Sequence, residues 1–165
     1  MKCRALLVTT LLFLPLLTHA APPKDHAAIR KVIQQFSTAI VQKDKQGFLT
    51  LFAQPPILWR TVLGDTMLKK IRQRHAGADK APFNPRHNYR QFIDFVSGHK
   101  GPVKETFRNI RIDSDGDVAS VNFDYTFRMD RRETNRGQES WQLLHTDAGW
   151  RIVSVVWSTH LPPGH

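Results

Sequence analysis

The side chains best suited to moving a proton lie in the last third of the sequence: Asp124, Glu139, His145 and His160. A carboxylate acts as a base near neutral pH only when an apolar wall or a neighbouring charge raises its pKa. Glu139 stands two residues before Trp141, so an extended strand puts both on one face. It is a candidate general base or ligand anchor; the plainer alternative is an ion pair with Arg136 or Arg128 across a hairpin. Asp124 is the second catalytic candidate, but alternation sets it opposite Phe123, Tyr125 and Phe127. If those rings line a hollow, Asp124 faces away from it. His145 closes its strand beside a turn, and His160 lies in an "HLPPGH" tail expected to fray.

Other chemistries find little support. His75, His87, His99 and His145 lack the spacing that sets metal ligands on one face. There is no Ser-His-Asp motif and no glycine loop to cradle phosphate. Neither a metal nor a cofactor is expected. The aromatic residues are more telling: Trp59, Tyr125, Phe127, Trp141 and Trp157 from the β-prone segments, with Phe36, Phe52 and Phe92 from the helical ones. Each large ring buries about 150–250 Å² and brings, in Trp and Tyr, a polar tip that needs a partner. Core filling accounts for any one of them; together they read as the wall of a small-molecule cavity. Arg60, beside Trp59, is placed to offer an ionic contact at its mouth.

These residues need elements to hold them. Ile29, Val32, Ile33, Phe36 and Ile40 make the stripe of a first helix with Asp25 as N-cap, and Phe48, Leu51 and Phe52 a second short one. "ILWRTV" is a short strand. A third helix starts at Asp65 or Thr66 and closes at Gly77; a fourth carries Tyr89, Phe92, Ile93 and Val96. The period then changes to two: "VKETFRNIRI", "DVASVNFDYTFRM", "ESWQLLHT" and "WRIVSVVWST" are strands, with tight turns at "DSDGD" and "TDAG" and a longer polar hairpin at "DRRETNRG". Helices first and an antiparallel meander second make an α+β domain. The last strand is apolar on both faces, and its outer face suits a dimer partner.

The N-terminus carries a different signal. Lys2 and Arg4 precede an apolar run from Ala5 to Leu17, followed by "THAAPP". This is the layout of a signal peptide over residues 1–20, cut after Ala20, and the run is short for a bilayer span. The expected mature domain, residues 21–165, has no cysteine, since Cys3 is the sole one. A periplasmic or secreted protein held by packing alone is the expectation, with no stable membrane insertion after cleavage. Removing Lys2 and Arg4 from 24 basic residues leaves 22 against 14 acidic, a net charge of +8. Export and the scatter of the charge argue against nucleic acid as the partner.

Helices followed by "NFDYTF", "RGQESWQLL" and "DAGWRIVSVVWS" resemble the nuclear transport factor 2-like superfamily, over roughly residues 25–158. The resemblance implies a cone, in which a strongly curved sheet wraps the helices around an apolar cavity, and usually a homodimer. It also implies that enzymes of this kind place a carboxylate inside the cone. Fold alone does not select a function. The leading expectation is a pocket for a small apolar or amphipathic ligand without established catalysis. The rivals are an isomerase, dehydratase or cyclase using Glu139 or Asp124, and an envelope interaction module with a filled cone. A cavity holding a buried carboxylate of raised pKa favours the enzyme.

Overall fold

The computed structural model describes residues 24–164, so the expected signal peptide and the expected cut after Ala20 lie outside the described residues. Helices α1 (Lys24–Gln42) and α2 (Lys45–Leu49) lead into strand β1 (Leu58–Leu63). Then come α3 (Asp65–Arg72), α4 (Tyr89–Gly98) and four long strands: β2 (Val103–Ser114), β3 (Val118–Met129), β4 (Arg132–Thr146) and β5 (Gly149–Thr159). The sheet order is β1-β5-β4-β3-β2. The meander β2 to β5 is antiparallel, while β1 joins the far edge parallel to β5, pairing Trp59 with Val155.

The stripe of α1 lies in the core as its spacing predicts, with Ile29, Val32, Ile33, Phe36 and Ile40 all buried against the sheet. Asp25 is in the first turn of α1 rather than ahead of it. Helix α3 is preceded by Gly64 without a side-chain cap and ends at Arg72, short of Gly77. Helix α4 starts from Asn88, whose Oδ1 accepts from the Arg90 and Gln91 amides at 3.0 and 3.2 Å. Replacing Asn88 by alanine orphans both amides and is expected to cost about 1 kcal/mol in denaturant unfolding.

Three irregularities bend the sheet. Asn109 and Ile110 of β2 together face Phe123, Thr134 is the extra residue of β4, and Val153 that of β5. A bulge strengthens the local twist and re-aims the chain beyond it. At Val153 it also resets the parity of β5. Trp150 and Ile152 are buried before it, and Val155 after it, so the inward face changes from even to odd positions. Strict alternation had left both faces of β5 apolar; with the bulge, Arg151, Ser154, Val156 and Ser158 share the outer side, which is mixed in character. The "DRRETNRG" segment is also shorter as a loop than its polarity suggests. Asp130 and Arg131 alone make the turn, at φ of 51° and 66°, and β4 begins at Arg132. His160 does not fray: it exchanges two backbone hydrogen bonds with Arg136, and its ring lies against Gly64.

One end of the cone is packed solid. Phe36 lies 4.7 Å from both Phe48 and Trp141, centroid to centroid, and Trp141 lies 4.9 Å from Phe123. The opposite end, where β1 and α4 approach the strands, is hollow.

Candidate functional site

A cavity of about 170 Å³ occupies the hollow end. Trp59 of β1, Phe92 of α4, Tyr125 and Phe127 of β3 and Trp157 of β5 form its aromatic walls. The rings brace one another: Trp59 is 5.1 Å from Trp157 and 5.4 Å from Phe92, and Phe92 is 6.0 Å from Phe127. Glu105, Asn135, Glu139 and Thr159 supply the polar part of the lining. A second space, of about 360 Å³, shares Trp59, Phe92 and Trp157 and opens toward the segment 82–91.

Glu105 and Glu139 are 4% and 5% exposed, the only buried charged residues among those described. Register explains their meeting. Glu105 pairs across with Phe127, and Glu139 with Phe123 on one side and Trp157 on the other, so both project from the concave face of the sheet. The Ser37 hydroxyl of α1 donates to the Glu105 carbonyl at 2.6 Å and pins that stretch of β2 under the helix. The two carboxyl groups are neighbours, placed so that one can donate to the other when it holds a proton. One proton between them is required, because two adjacent buried carboxylates cannot both ionise cheaply.

Burial, the Glu139 charge and the shared hydrogen bond push Glu105 well above the usual carboxyl range. Burial also raises Glu139, to about 7, against the pull of donors from Trp141 and Glu105. Glu105 is thus the proton holder and Glu139 the group poised to change charge near neutrality. Trp141 Nε1 donates to Glu139 Oε2 at 2.7 Å, a bond that favours the charged form. Substituting Trp141 by phenylalanine is expected to move the Glu139 titration upward, read as a carboxyl carbon chemical shift against pH. Tyr125 is held neutral by burial, its hydroxyl donating toward Asn135 Oδ1 and the Ser158 carbonyl, each at 3.0 Å.

Several sequence candidates sit elsewhere. Asp124 is on the outer face, accepting from Asn109 Nδ2 at 2.6 Å and Gln138 Nε2 at 3.2 Å. Those donors hold its carboxyl below the usual range, which makes it a poor base as well as a misplaced one. Phe36, Phe52 and Trp141 are core rather than cavity wall, because they belong to the packed end. The expected pairing of Glu139 with Arg136 or Arg128 is replaced by Glu133, which takes Arg136 at 2.6 Å and Arg128 at 3.6 Å. His145 stacks on Trp150 at 4.8 Å, remote from the carboxyl pair.

Glu105 is the residue the sequence reading passed over. Its signal was present: Val103, Glu105 and Phe107 have the spacing of one strand face. Among the described residues no cluster of His, Cys, Asp and Glu could hold a metal, and no helix is long and apolar enough to cross a membrane.

No protein-family model matches the chain, and no curated protein matches it in sequence. Solved structures do match. One is a Streptomyces avermitilis protein of the nuclear transport factor 2-like family, provisionally named a dehydratase. It has a TM-score of 0.62 and 14% identity over 86% of this chain and 100% of that one. A Salmonella enterica protein of the same superfamily gives 0.58 and 18%, over 87% and 96%. A Shewanella baltica protein of unknown function and the same fold gives 0.56 and 18%, over 87% and 100%. At these identities the likeness is one of fold.

Proposed function

We propose that this chain, which has the nuclear transport factor 2-like fold, binds a small, largely apolar molecule in the cavity and moves a proton on it through the Glu105–Glu139 pair. The observation that carries this reading is Glu139 itself: buried, in the cavity lining, and raised to about 7. A base works best when its pKa lies near the working pH, and burial of a carboxyl with no cationic partner is costly enough to need a reason. Glu139 as carboxylate takes a proton from a carbon or oxygen acid of the bound molecule. It then returns that proton to another atom of the same molecule, so no electrons are exchanged and no co-reactant is needed. Glu105, neutral throughout, donates to Glu139 and keeps it from rising further. The aromatic walls exclude water and hold a flat or apolar body against the pair. This chemistry is of the isomerase or dehydratase type; the provisional name of the Streptomyces protein is in keeping with it.

A test uses 2-tetralone, a flat ketone with acidic protons beside its carbonyl. In deuterium oxide near neutrality the wild-type protein should accelerate exchange of those protons above the buffer rate. Glu139→Gln should lower that acceleration by about 10²-fold or more. Exchange at the buffer rate with wild-type protein, or full acceleration by the glutamine variant, overturns the assignment.

A further inference from the structure

The outer space, which shares Trp59, Phe92 and Trp157 with the inner one, differs from it in charge. Arg60 and His87 are its only ionisable lining residues, and no carboxylate lines it. Arg60 is in no salt bridge among the described residues. Its Nη2 donates to the Ala81 carbonyl at 3.3 Å, and its Cζ lies 4.8 Å from the centroid of the Phe83 ring. Its Nε is buried with no hydrogen-bond partner, the only such side-chain atom among the described residues. A buried donor left unpaired costs about 1–3 kcal/mol, so a native site that keeps one invites an acceptor. A guanidinium is the side chain best shaped to receive a carboxylate.

Resting on the reading above, we propose that the molecule this cavity takes is an amphipathic anion: a flat apolar body carrying a carboxylate that Arg60 receives at the outer end. The two ends of the site then orient it. The Glu105–Glu139 pair carries negative charge when Glu139 is ionised and repels the carboxylate. The guanidinium, free of any acidic neighbour in the lining, attracts it. Between them Trp59, Phe92 and Trp157, common to both spaces, hold the apolar body. The uncharged part that bears the reacting proton is thereby the part presented to Glu139. Arg60 is a specificity-determining residue in this scheme and takes no part in proton transfer.

Isothermal titration calorimetry with 2-naphthoate and its uncharged counterpart 2-naphthamide tests this at neutral pH and low salt. Wild-type protein should bind the naphthoate about tenfold tighter or more, the range expected of a charge-assisted hydrogen bond. Arg60→Gln should bring the two affinities within about twofold by weakening the naphthoate alone. Arg60→Lys, which keeps the charge, should retain part of the preference, and added salt should reduce it. Equal wild-type affinities overturn the anion assignment while leaving the cavity as a binding site, as does a naphthoate preference that survives Arg60→Gln. Loss of preference in Arg60→Lys as complete as in Arg60→Gln counts against recognition by charge. Failure of the wild type to bind either compound overturns both this proposal and the cavity reading.

Discussion

Between about pH 5 and pH 8 the folded protein should lose about 3 kcal/mol of stability. Glu139 has a folded-state pKa of about 7 against an ordinary value of 4.5. Over that interval the native state therefore holds a proton that the unfolded chain has released. Stability is fully present below the lower value and is lost as pH rises through the upper one. At about 1.4 kcal/mol per tenfold change in proton affinity, the gap corresponds to about 3 kcal/mol. Glu105, raised further, extends the loss to higher pH. The surface carboxylates act oppositely. Asp65, Asp115 and Asp124 are lowered by their hydrogen-bond donors, so their contribution disappears only as pH falls into the acid range. Stability should therefore peak on the acid side of neutrality. Urea denaturation at pH 5 and pH 8 measures the difference directly. Glu139→Gln, neutral at both, should remove most of it. A wild-type protein that is equally stable or more stable at pH 8 would contradict the buried pair.

Gly137→Ala should destabilise the protein by about 2–3 kcal/mol, on the scale of overpacking in a core. Gly137 pairs with Tyr125 in the sheet, and a Cβ built there overlaps the Ser158 carbonyl oxygen and crowds its carbonyl carbon. Those are main-chain atoms of β5, so no rotamer change relieves the overlap. The displaced carbonyl is also an acceptor for the Tyr125 hydroxyl, and the Ser158 hydroxyl accepts from the Gln138 amide. The damage falls on the strand that carries Trp157 and Thr159 into the cavity. Naphthamide affinity should fall with stability. Gly77→Ala is the control, because a Cβ there meets nothing within 4 Å. Equal unfolding midpoints for the two variants would show that the close approach at Gly137 does not constrain β5.

How much of this was legible follows from where the information sits. The α1 stripe and the inward face of β3 are written in local periodicity, and both hold residue by residue. The order of elements carried the resemblance to a cone, and the fold agrees. What the pattern could not carry was register. The bulge at Val153 has no glycine to announce it, and it changes which residues of β5 face inward. The turn at Asp130–Arg131 puts two non-glycine residues at positive φ, where Asn-Gly or Asp-Gly is the usual mark. The parallel pairing of β1 with β5 joins segments nearly a hundred residues apart. Such pairing leaves no local trace.

The site divides the same way. Glu139 was readable because it shares a strand face with Trp141. Glu105 stands between Lys104 and Thr106 and looks like a solvated strand residue until β3 places it near Glu139. Phe36, Phe52 and Trp141 had the composition of a cavity wall but belong to the filled end. Which end of a cone stays hollow depends on how α1 and α2 seat, and no single segment encodes that.

The central claim is that two neighbouring carboxyls inside the cavity hold a single proton near neutral pH. Carbon-13 NMR of the glutamate side-chain carboxyls, assigned with Glu105→Gln and Glu139→Gln, tests it most directly. The expected titration has Glu139 changing near pH 7 and Glu105 still protonated above that. Both resonances moving together near pH 4.5, as for ordinary exposed glutamates, would remove the pair and the chemistry built on it.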